Sequence, residues 1–238
     1  MVDSAGTPPL RFFVYLVESP SPPDLYHGRS EGSLVQRALA LDRIPTIVRT
    51  TINPAAFVAA LRIGLPEAMK LFPDRLPILH ISAHGSREGI QLSSGAVINW
   101  DLLRELVLPI NQGLGGVLLL CMSACDGYNA CQMAMVKDDL PHPYFAMVGH
   151  CGTPTWSDTA VAYASFYHLL SKGHRVPTAV AAMNQASGET QWVAELAEET
   201  KRGYLEYISS VVPERARQDI EASVDRGSVS DESKALEQ

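Results

Sequence analysis

The stretch "RLPILHISAHGSREGIQL", residues 75–92, decides how the rest of the chain is interpreted. It contains His80 and His84, four residues apart, and His84 is followed by Gly85. In a helix this spacing would place both histidines on one face, as in many metal sites. The residues from 76 to 83 are instead mostly apolar at consecutive positions. In a strand both faces would then be apolar, which predicts a buried parallel strand. In that strand His84 lies at the open end, and His80 lies inside the sheet, either as a core residue or, at most, as a support for the site.

Composition and charge narrow the classes of function. The 238 residues suit one large α/β domain or two small ones. The formal net charge of −7 argues against direct nucleic-acid binding and against a membrane-surface protein, because phosphate contacts need clustered Lys and Arg. The apolar runs are too short to span a bilayer. The N-terminus lacks the basic and apolar regions of a signal peptide, so we expect a cytoplasmic protein.

The order of predicted elements indicates an α/β fold. Predicted strands alternate with helical patterns, which is typical of a mostly parallel sheet covered on both faces. The predicted strands are 11–19, 44–52, 76–83, 115–125 and 143–152, with a short hairpin at 86–99. The predicted helices are 30–42, 54–72, 100–109, 129–138, 159–173 and 176–188.

Several boundaries of these elements follow from local signals. Ser30 and Asn53 are predicted to cap the helices that they precede. A break is expected near Gly64 and Pro66, and the helix that begins at residue 100 is expected to end at Pro109. Residues 19–28 are interpreted as a loop, and Ser157 or Asp158 as the cap of the helix at 159–173. We expect three parts: an N-terminal arm, 1–10, a single domain, 11–212, and a charged C-terminal helix and tail, 213–238.

A cysteine at the next strand end supplies a partner for His84. The run "GGVLLLCMSACDG" ends in Cys125, so Cys125 lies at the sheet edge that His84 also occupies. A thiolate is a competent nucleophile, and a nearby imidazole generates or stabilises it. Gly85 and Gly127 leave room for backbone N–H groups to face a substrate carbonyl, as an oxyanion hole requires.

Zinc is the main alternative for the cysteine cluster. Cys121, Cys125, Cys131, Cys151 and His150 all lie within one short region. Structural zinc sites use pairs of ligands two to four residues apart on turns. Cys121 and Cys125 lie along a predicted strand, where four residues span roughly 13 Å. We therefore expect no metal and interpret Cys121 and Cys131 as core residues.

At these motifs the chain resembles a known family, the CHAT branch of the caspase and separase superfamily, which includes bacterial cysteine proteases. The resemblance covers roughly residues 10–190 and is carried by an ordered set of motifs rather than by any single one. These motifs are "HISAHG", "LLLCMSACDG", "MVGHCGTPTWSD", "AYASFYHLLSKG" and "AVAAMNQASG".

The resemblance implies a three-layer α-β-α caspase-like fold and a cysteine endopeptidase without a cofactor. It implies Cys125 as nucleophile, His84 as general base or ion-pair partner, and an oxyanion hole built from the backbone N–H groups of Gly85 and Cys125. Members of this family often act in multi-component bacterial defence or cell-death systems, so an activating protein partner is also implied.

The substrate pocket departs from the patterns of related proteases. Metacaspase-like relatives carry Asp two residues before the cysteine, where this chain has Ser123, and no caspase-like set of arginines is apparent. The specificity of neither group therefore transfers. Asp126 and Asp158 are interpreted as sources of negative charge for substrate binding. His150 and Cys151 end the fifth strand, where they either line the substrate pocket or merely pack. An alternative function is a catalytically inactive caspase-like module that binds a partner.

Overall fold

The computed structural model describes residues 10–137 and 141–211. The predicted tail, 213–238, and the predicted arm apart from Leu10 lie outside these residues. The strands are β1 (Phe12–Ser19), β2 (Thr46–Thr50), β3 (Leu76–Ser86), β4 (Gly89–Gln91), β5 (Val97–Asn99), β6 (Leu119–Ser123), β7 (Ala146–His150) and β8 (Trp192–Leu196). The α-helices are α1 (Pro22–Tyr26), α2 (Glu31–Leu41), α3 (Pro54–Ala59), α4 (Leu65–Leu71), α5 (Trp100–Gly113), α6 (Trp156–Ser171), α7 (Val176–Ser187) and α8 (Ala197–Val211).

The central sheet has the strand order β2-β1-β3-β6-β7-β8. Along this order the pairs β2–β1, β1–β3, β3–β6 and β6–β7 are parallel, and β8 pairs with β7 in the antiparallel direction. The end of β3 continues beyond the parallel sheet into an antiparallel ribbon with β4 and β5. The predicted hairpin and the predicted mostly parallel sheet are both confirmed.

Helices cover both faces of the sheet, so the predicted three-layer α/β architecture is confirmed. The cause is visible in β1, where alternate apolar residues point to opposite faces. Phe13 and Tyr15 belong to a core with residues of α3, α4 and α5. Val14 and Leu16 belong to a second core with residues of α2, α6 and α7. The carboxyl ends of the parallel strands form one edge between these helical layers.

The predicted caps of α2 and α3 are confirmed. Ser30 Oγ accepts a hydrogen bond from the Ser33 N–H at 3.0 Å, and Asn53 Oδ1 accepts one from the Ala56 N–H at 2.9 Å. Each side chain therefore satisfies one of the free N–H groups at the start of its helix.

The predicted break near Gly64 and Pro66 is wrong. A π-helix, Ala60–Gly64, joins α3 to α4 without a break. The Tyr15 hydroxyl donates a hydrogen bond to the Ala60 carbonyl at 2.7 Å, and the Leu65 N–H also bonds that carbonyl. A Cβ atom at Gly64 would collide with the Tyr15 hydroxyl, so this glycine makes room for the contact. The glycine that suggested a break therefore serves helix packing.

Three further boundaries differ from the sequence predictions. Helix α5 continues through Pro109 to Gly113, since one proline removes a single N–H donor while the apolar face continues. The segment predicted as an α-helix at 129–138 forms a 3₁₀-helix, Gly127–Ala134. Helix α6 begins at Trp156, because Thr155 rather than Ser157 or Asp158 is its N-cap.

Other elements were not predicted. The segment 19–28, interpreted as a loop, contains the short helix α1, which is capped by Ser21. The antiparallel strand β8 and the whole of α8 lie between the helix predicted at 176–188 and the charged segment predicted from 213, where no element was predicted. Within the part of the chain that the structure describes, no helix has the length and apolar character needed to cross a bilayer.

Candidate active site

The structure brings the segments of His84 and Cys125 together at the carboxyl edge of the sheet. β3 and β6 pair in register as far as Ser82 and Ser123, and each candidate residue lies two positions beyond this pair. Neighbouring strands are about 4.8 Å apart. The two backbone segments therefore leave the sheet side by side, as the sequence predicts.

His84 is half-buried where β3 leaves the parallel sheet. It pairs with Gln91 of β4. Its ring packs edge-on against Trp156 at the start of α6, with 6.0 Å between the ring centres. The pKa of Asp24 is lowered, first by a hydrogen bond from Ser21, and the nearby His84 contributes to that shift. His84 thus has an aromatic neighbour on one side and a carboxylate within electrostatic reach.

Cys125 lies in the turn between β6 and the 3₁₀-helix, and it is partly exposed. The next residue, Asp126, has a left-handed backbone with φ of 52°, which turns the chain away from the sheet. The Asp126 N–H donates to the Gly152 carbonyl at 2.7 Å, so this turn is fastened to the segment after β7. The thiol is therefore held at an accessible corner by a fixed backbone.

Gly85 packs directly on the backbone of Cys125. A Cβ atom on Gly85 would collide with the Cys125 carbonyl oxygen. The backbone N–H groups of Cys125 and Gly85 both lie near the thiol, where they favour its thiolate form. Two convergent N–H donors are also what an oxyanion hole requires. The two residues predicted to form that hole are thus neighbours around the sulfur.

The electrostatic surroundings of Cys125 hold the thiol in its protonated form. Burial raises its pKa above the ordinary value, and the Asp126 carboxylate raises it further. The two backbone N–H groups lower it by less than these effects raise it. Among the described residues, no hydrogen bond joins His84 to Cys125. A reactive thiolate would require a closer approach of a positive charge.

The other predicted substrate-binding residues lie around this corner in different environments. Cys151 is exposed, and Asp126 raises its pKa after the effect of partial burial, so Asp126 is near both thiols. His150 is buried, and its Nδ1 accepts a hydrogen bond from the Gly152 N–H at 3.0 Å. Its ring packs on Trp192 with 4.8 Å between centres, which favours the packing alternative for His150.

Asp158 lies in the first turn of α6, where it completes a capping box. Its Oδ2 accepts a hydrogen bond from the Thr155 N–H at 3.0 Å, and Thr155 Oγ1 accepts one from the Asp158 N–H at 3.3 Å. Hydrogen bonds from the Thr155 hydroxyl and backbone are the main causes that lower the pKa of Asp158. The carboxylate therefore has a structural function at this helix start.

Sequence reasoning missed a buried polar cluster directly beneath this edge. The Glu31 carboxylate accepts hydrogen bonds from Ser82 and Ser123. His80, predicted as a core or supporting residue within the sheet, is fully buried and its Nε2 lies 3.7 Å from Glu31 Oε1. His80 Nδ1 forms a 2.8 Å hydrogen bond with the Tyr167 hydroxyl. An acidic residue in the first turn of a helix is common, so nothing in the sequence distinguished Glu31.

Two further observations concern ligands. Among the described residues, no group of three or more His, Cys, Asp or Glu side chains is arranged to hold a metal ion. A cavity of about 810 Å³ lies between α4 and α5. Its apolar lining includes Leu65, Met69, Leu106 and Ile110. Neither His84 nor Cys125 lines this cavity.

Comparison with known proteins gives a distant likeness of fold. No protein-family model matches the chain, and no curated protein sequence matches it. The chain is similar to the crystal structure of the Arg specific cysteine proteinase gingipain R (RGPB), at 12% identity and a TM-score of 0.43, over 78% of this chain and 48% of that one. It is also similar to the complex of Porphyromonas gingivalis RgpB pro- and mature domains, at 13% identity and a TM-score of 0.48, over 78% and 49%. The chain thus spans about half the length of each of these two chains.

Proposed function

We propose that this protein is a caspase-like cysteine endopeptidase of the CHAT type, with Cys125 as nucleophile and His84 as general base. The observation that carries the proposal is the shared edge position of the two residues, each two positions beyond the registered pair Ser82 and Ser123. The close packing of Gly85 on Cys125 supports it further, because two N–H donors then converge beside the reacting sulfur.

In the proposed reaction the Cys125 sulfur attacks the carbonyl carbon of the scissile peptide, and the thiol proton passes to His84. The N–H groups of Gly85 and Cys125 stabilise the negative charge that develops on the carbonyl oxygen. His84 then protonates the leaving amine as the C–N bond breaks, which leaves a thioester on Cys125. A water molecule, deprotonated by His84, hydrolyses the thioester and restores the free thiol. These reaction steps use no metal or cofactor.

The raised pKa of Cys125 supports a resting state that needs activation. Burial and Asp126 both oppose the thiolate. A protein partner or an upstream protease that moves His84 toward Cys125 would lower that pKa, because a nearby imidazolium stabilises a thiolate. This resting state fits an activating partner. From the family resemblance we further propose a protein substrate and a role in a bacterial defence or cell-death system, and from the absence of a signal-peptide pattern in the sequence a cytoplasmic location.

The same raised pKa favours a second candidate, an inactive caspase-like module that acts by binding a partner. A peptide-library digest distinguishes the two functions. Wild type and Cys125→Ala are incubated with the library, and new peptide termini are identified by mass spectrometry. Cleavage by wild type that disappears in Cys125→Ala supports the endopeptidase. Cleavage by both variants, or by neither in the presence of candidate partners, contradicts it.

A further inference from the structure

The Glu31 carboxylate bridges the two strands that carry the proposed catalytic pair. Glu31 is the first residue of α2, and its side chain is 0% exposed. Ser82 of β3 donates a hydrogen bond to Glu31 Oε2 at 2.6 Å. Ser123 of β6 donates to both carboxylate oxygens at 2.8 Å. One side chain from a helix thus binds both strands at the same level of the sheet.

The position of this bridge along the strands is the informative feature. Ser82 and Ser123 are the last registered pair of β3 and β6. Beyond them β3 enters the ribbon with β4, and β6 turns into the 3₁₀-helix, so the backbone ladder no longer joins the two segments. The hydroxyls held by Glu31 lie two residues before His84 and Cys125. The bridge therefore reinforces the final point at which the spacing of the two segments is set.

Burial makes the Glu31 carboxylate depend on its hydrogen-bond partners. A carboxylate taken out of water is stable only when hydrogen bonds or charges satisfy it, and charge-assisted hydrogen bonds are the stronger class. The adjacent basic group is His80, whose Nε2 lies 3.7 Å from Glu31 Oε1, beyond hydrogen-bond length. His80 is held in turn by the Tyr167 hydroxyl of α6. The cluster thus connects β3, β6, α2 and α6 beneath the sheet edge.

We propose that Glu31 is a positioning residue for His84 and Cys125, acting through the hydroxyls of Ser82 and Ser123. The role rests on the proposed function, since it places the two residues that carry out the reaction. Glu31 itself does not reach the substrate in this proposal. It fixes the separation of the two strand ends, and with it the contact of Gly85 with the Cys125 backbone.

A second buried carboxylate, on β1, contacts the start of α2 and provides a matched control. Glu18, at the end of β1, accepts hydrogen bonds from the Ser30 hydroxyl, the Gly32 N–H and the Thr50 hydroxyl. It is as buried as Glu31 and fastens the same helix. None of these three partners lies on β3 or β6, the strands that lead into His84 and Cys125. If substitution of either carboxylate lowers activity equally, the cause is weaker anchoring of α2. If only substitution of Glu31 lowers activity, the cause is lost positioning of His84 and Cys125.

The test compares Glu31→Gln with Glu18→Gln in the full chain. Glutamine keeps the size of the side chain but removes its negative charge and replaces one acceptor oxygen with a donor, so the hydrogen bonds from the two serine hydroxyls are no longer charge-assisted and the bridge is weakened. We expect Glu31→Gln to lower kcat by about 10-fold to 100-fold with KM nearly unchanged, since small misplacements of reacting groups have effects of this size. We expect Glu18→Gln, compared at equal folded fraction, to leave both constants unchanged. Equal losses in the two variants would overturn the proposal, as would a raised KM at constant kcat for Glu31→Gln.

Serine variants provide a readout that does not depend on proteolysis and remains available if Glu31→Gln fails to fold. Ser82→Ala and Ser123→Ala change no charge, and the acidic neighbour Asp126 is the same in each. If the bridge holds the N–H groups of Gly85 and Cys125 near the thiol, its loss raises the pH at which Cys125 is alkylated by iodoacetamide. Alkylation of Cys151 in the same sample is the internal standard. An unchanged Cys125 profile in both variants overturns positioning. A shifted profile in a protein that cleaves nothing, even with candidate partners present, supports positioning and rejects the endopeptidase.

Discussion

Gly85 lies against Cys125 with no room for a side chain between them. A Cβ atom on Gly85 would collide with the Cys125 carbonyl oxygen and would lie 2.9 Å from the Cβ of Ala124. The colliding atom belongs to the backbone of the candidate nucleophile, so it cannot move aside as a flexible side chain would. Gly85, at the end of β3, therefore packs closely against Ala124 and Cys125, which follow β6.

Gly85→Ala is expected to separate these two strand ends. Overpacking of this kind costs about 1–3 kcal/mol in the free energy of unfolding. Activity should fall about 100-fold, because the N–H groups move away from the reacting atoms. Urea unfolding and kcat/KM measure the two effects.

Gly203→Ala is the matched control for this substitution. Gly203 lies within α8 and a Cβ atom there has nothing within 4 Å, so alanine should stabilise the helix by roughly 0.5–1 kcal/mol without loss of activity. A Gly85→Ala protein that equals wild type in stability and activity would show that the contact has no functional importance.

Asp126→Asn tests the electrostatic control of the thiol. The Asp126 carboxylate raises the pKa of Cys125, so removal of its charge should lower that pKa. Asparagine tolerates the left-handed backbone at this position, so the turn should persist. The pH profile of Cys125 alkylation, followed by mass spectrometry, should shift to lower pH, and that of Cys151 should shift in the same direction. A shift to higher pH would contradict this account of the site.

Tyr167→Phe tests the support of the buried cluster. The Tyr167 hydroxyl forms the 2.8 Å hydrogen bond to His80 Nδ1, and both side chains are fully buried. Its removal leaves a buried imidazole nitrogen without that partner, which costs about 1–3 kcal/mol. Tyr207→Phe, at an exposed tyrosine of α8, should change the free energy of unfolding by less than about 0.5 kcal/mol. Equal effects of the two substitutions in urea unfolding would argue against the buried bond.

Asp158→Asn distinguishes a capping function from substrate binding. Hydrogen bonds from Thr155 lower the pKa of Asp158 in the folded state. A lowered folded pKa means that this stabilisation is fully present above the unfolded value, about 3.9, and is lost as the pH falls through the folded value. The variant should therefore be less stable than wild type at neutral pH, and the difference should shrink below about pH 4.

The same variant should leave KM for a peptide substrate unchanged if capping is the main function of Asp158. Asp101→Asn, in the first turn of α5, serves as the comparison, because Asp101 is also a first-turn acid but no capping box includes it. A raised KM in Asp158→Asn alone, without loss of stability, would instead support the prediction that Asp158 binds substrate.

The sequence predicted the parallel sheet because its strands carry long apolar runs that fit a sheet covered on both faces. The same reasoning placed His84 and Cys125 at one edge, since parallel strands end together. It failed where local signals were overruled by packing. Gly64 suggested a break, but its missing Cβ accommodates the Tyr15 hydroxyl and the helix continues.

The buried cluster could not be predicted, because it depends on which face of α2 meets the sheet. Glu31 is 51 residues from Ser82 and 92 from Ser123, and no local pattern links them. Thr155 was missed as the cap of α6 for a different reason. Several residues in "TPTWSD" are acceptable caps, and only the backbone conformation selects among them.

The most direct test of the endopeptidase assignment is covalent labelling with an acyloxymethyl ketone probe, followed by peptide mapping. Cys125 and the exposed Cys151 compete in the same molecule, so the site of labelling is decisive. We predict that in the activated protein the label is found on Cys125 and is lost in both Cys125→Ala and His84→Ala. A label on Cys151, or one that survives the loss of Cys125, would contradict the account.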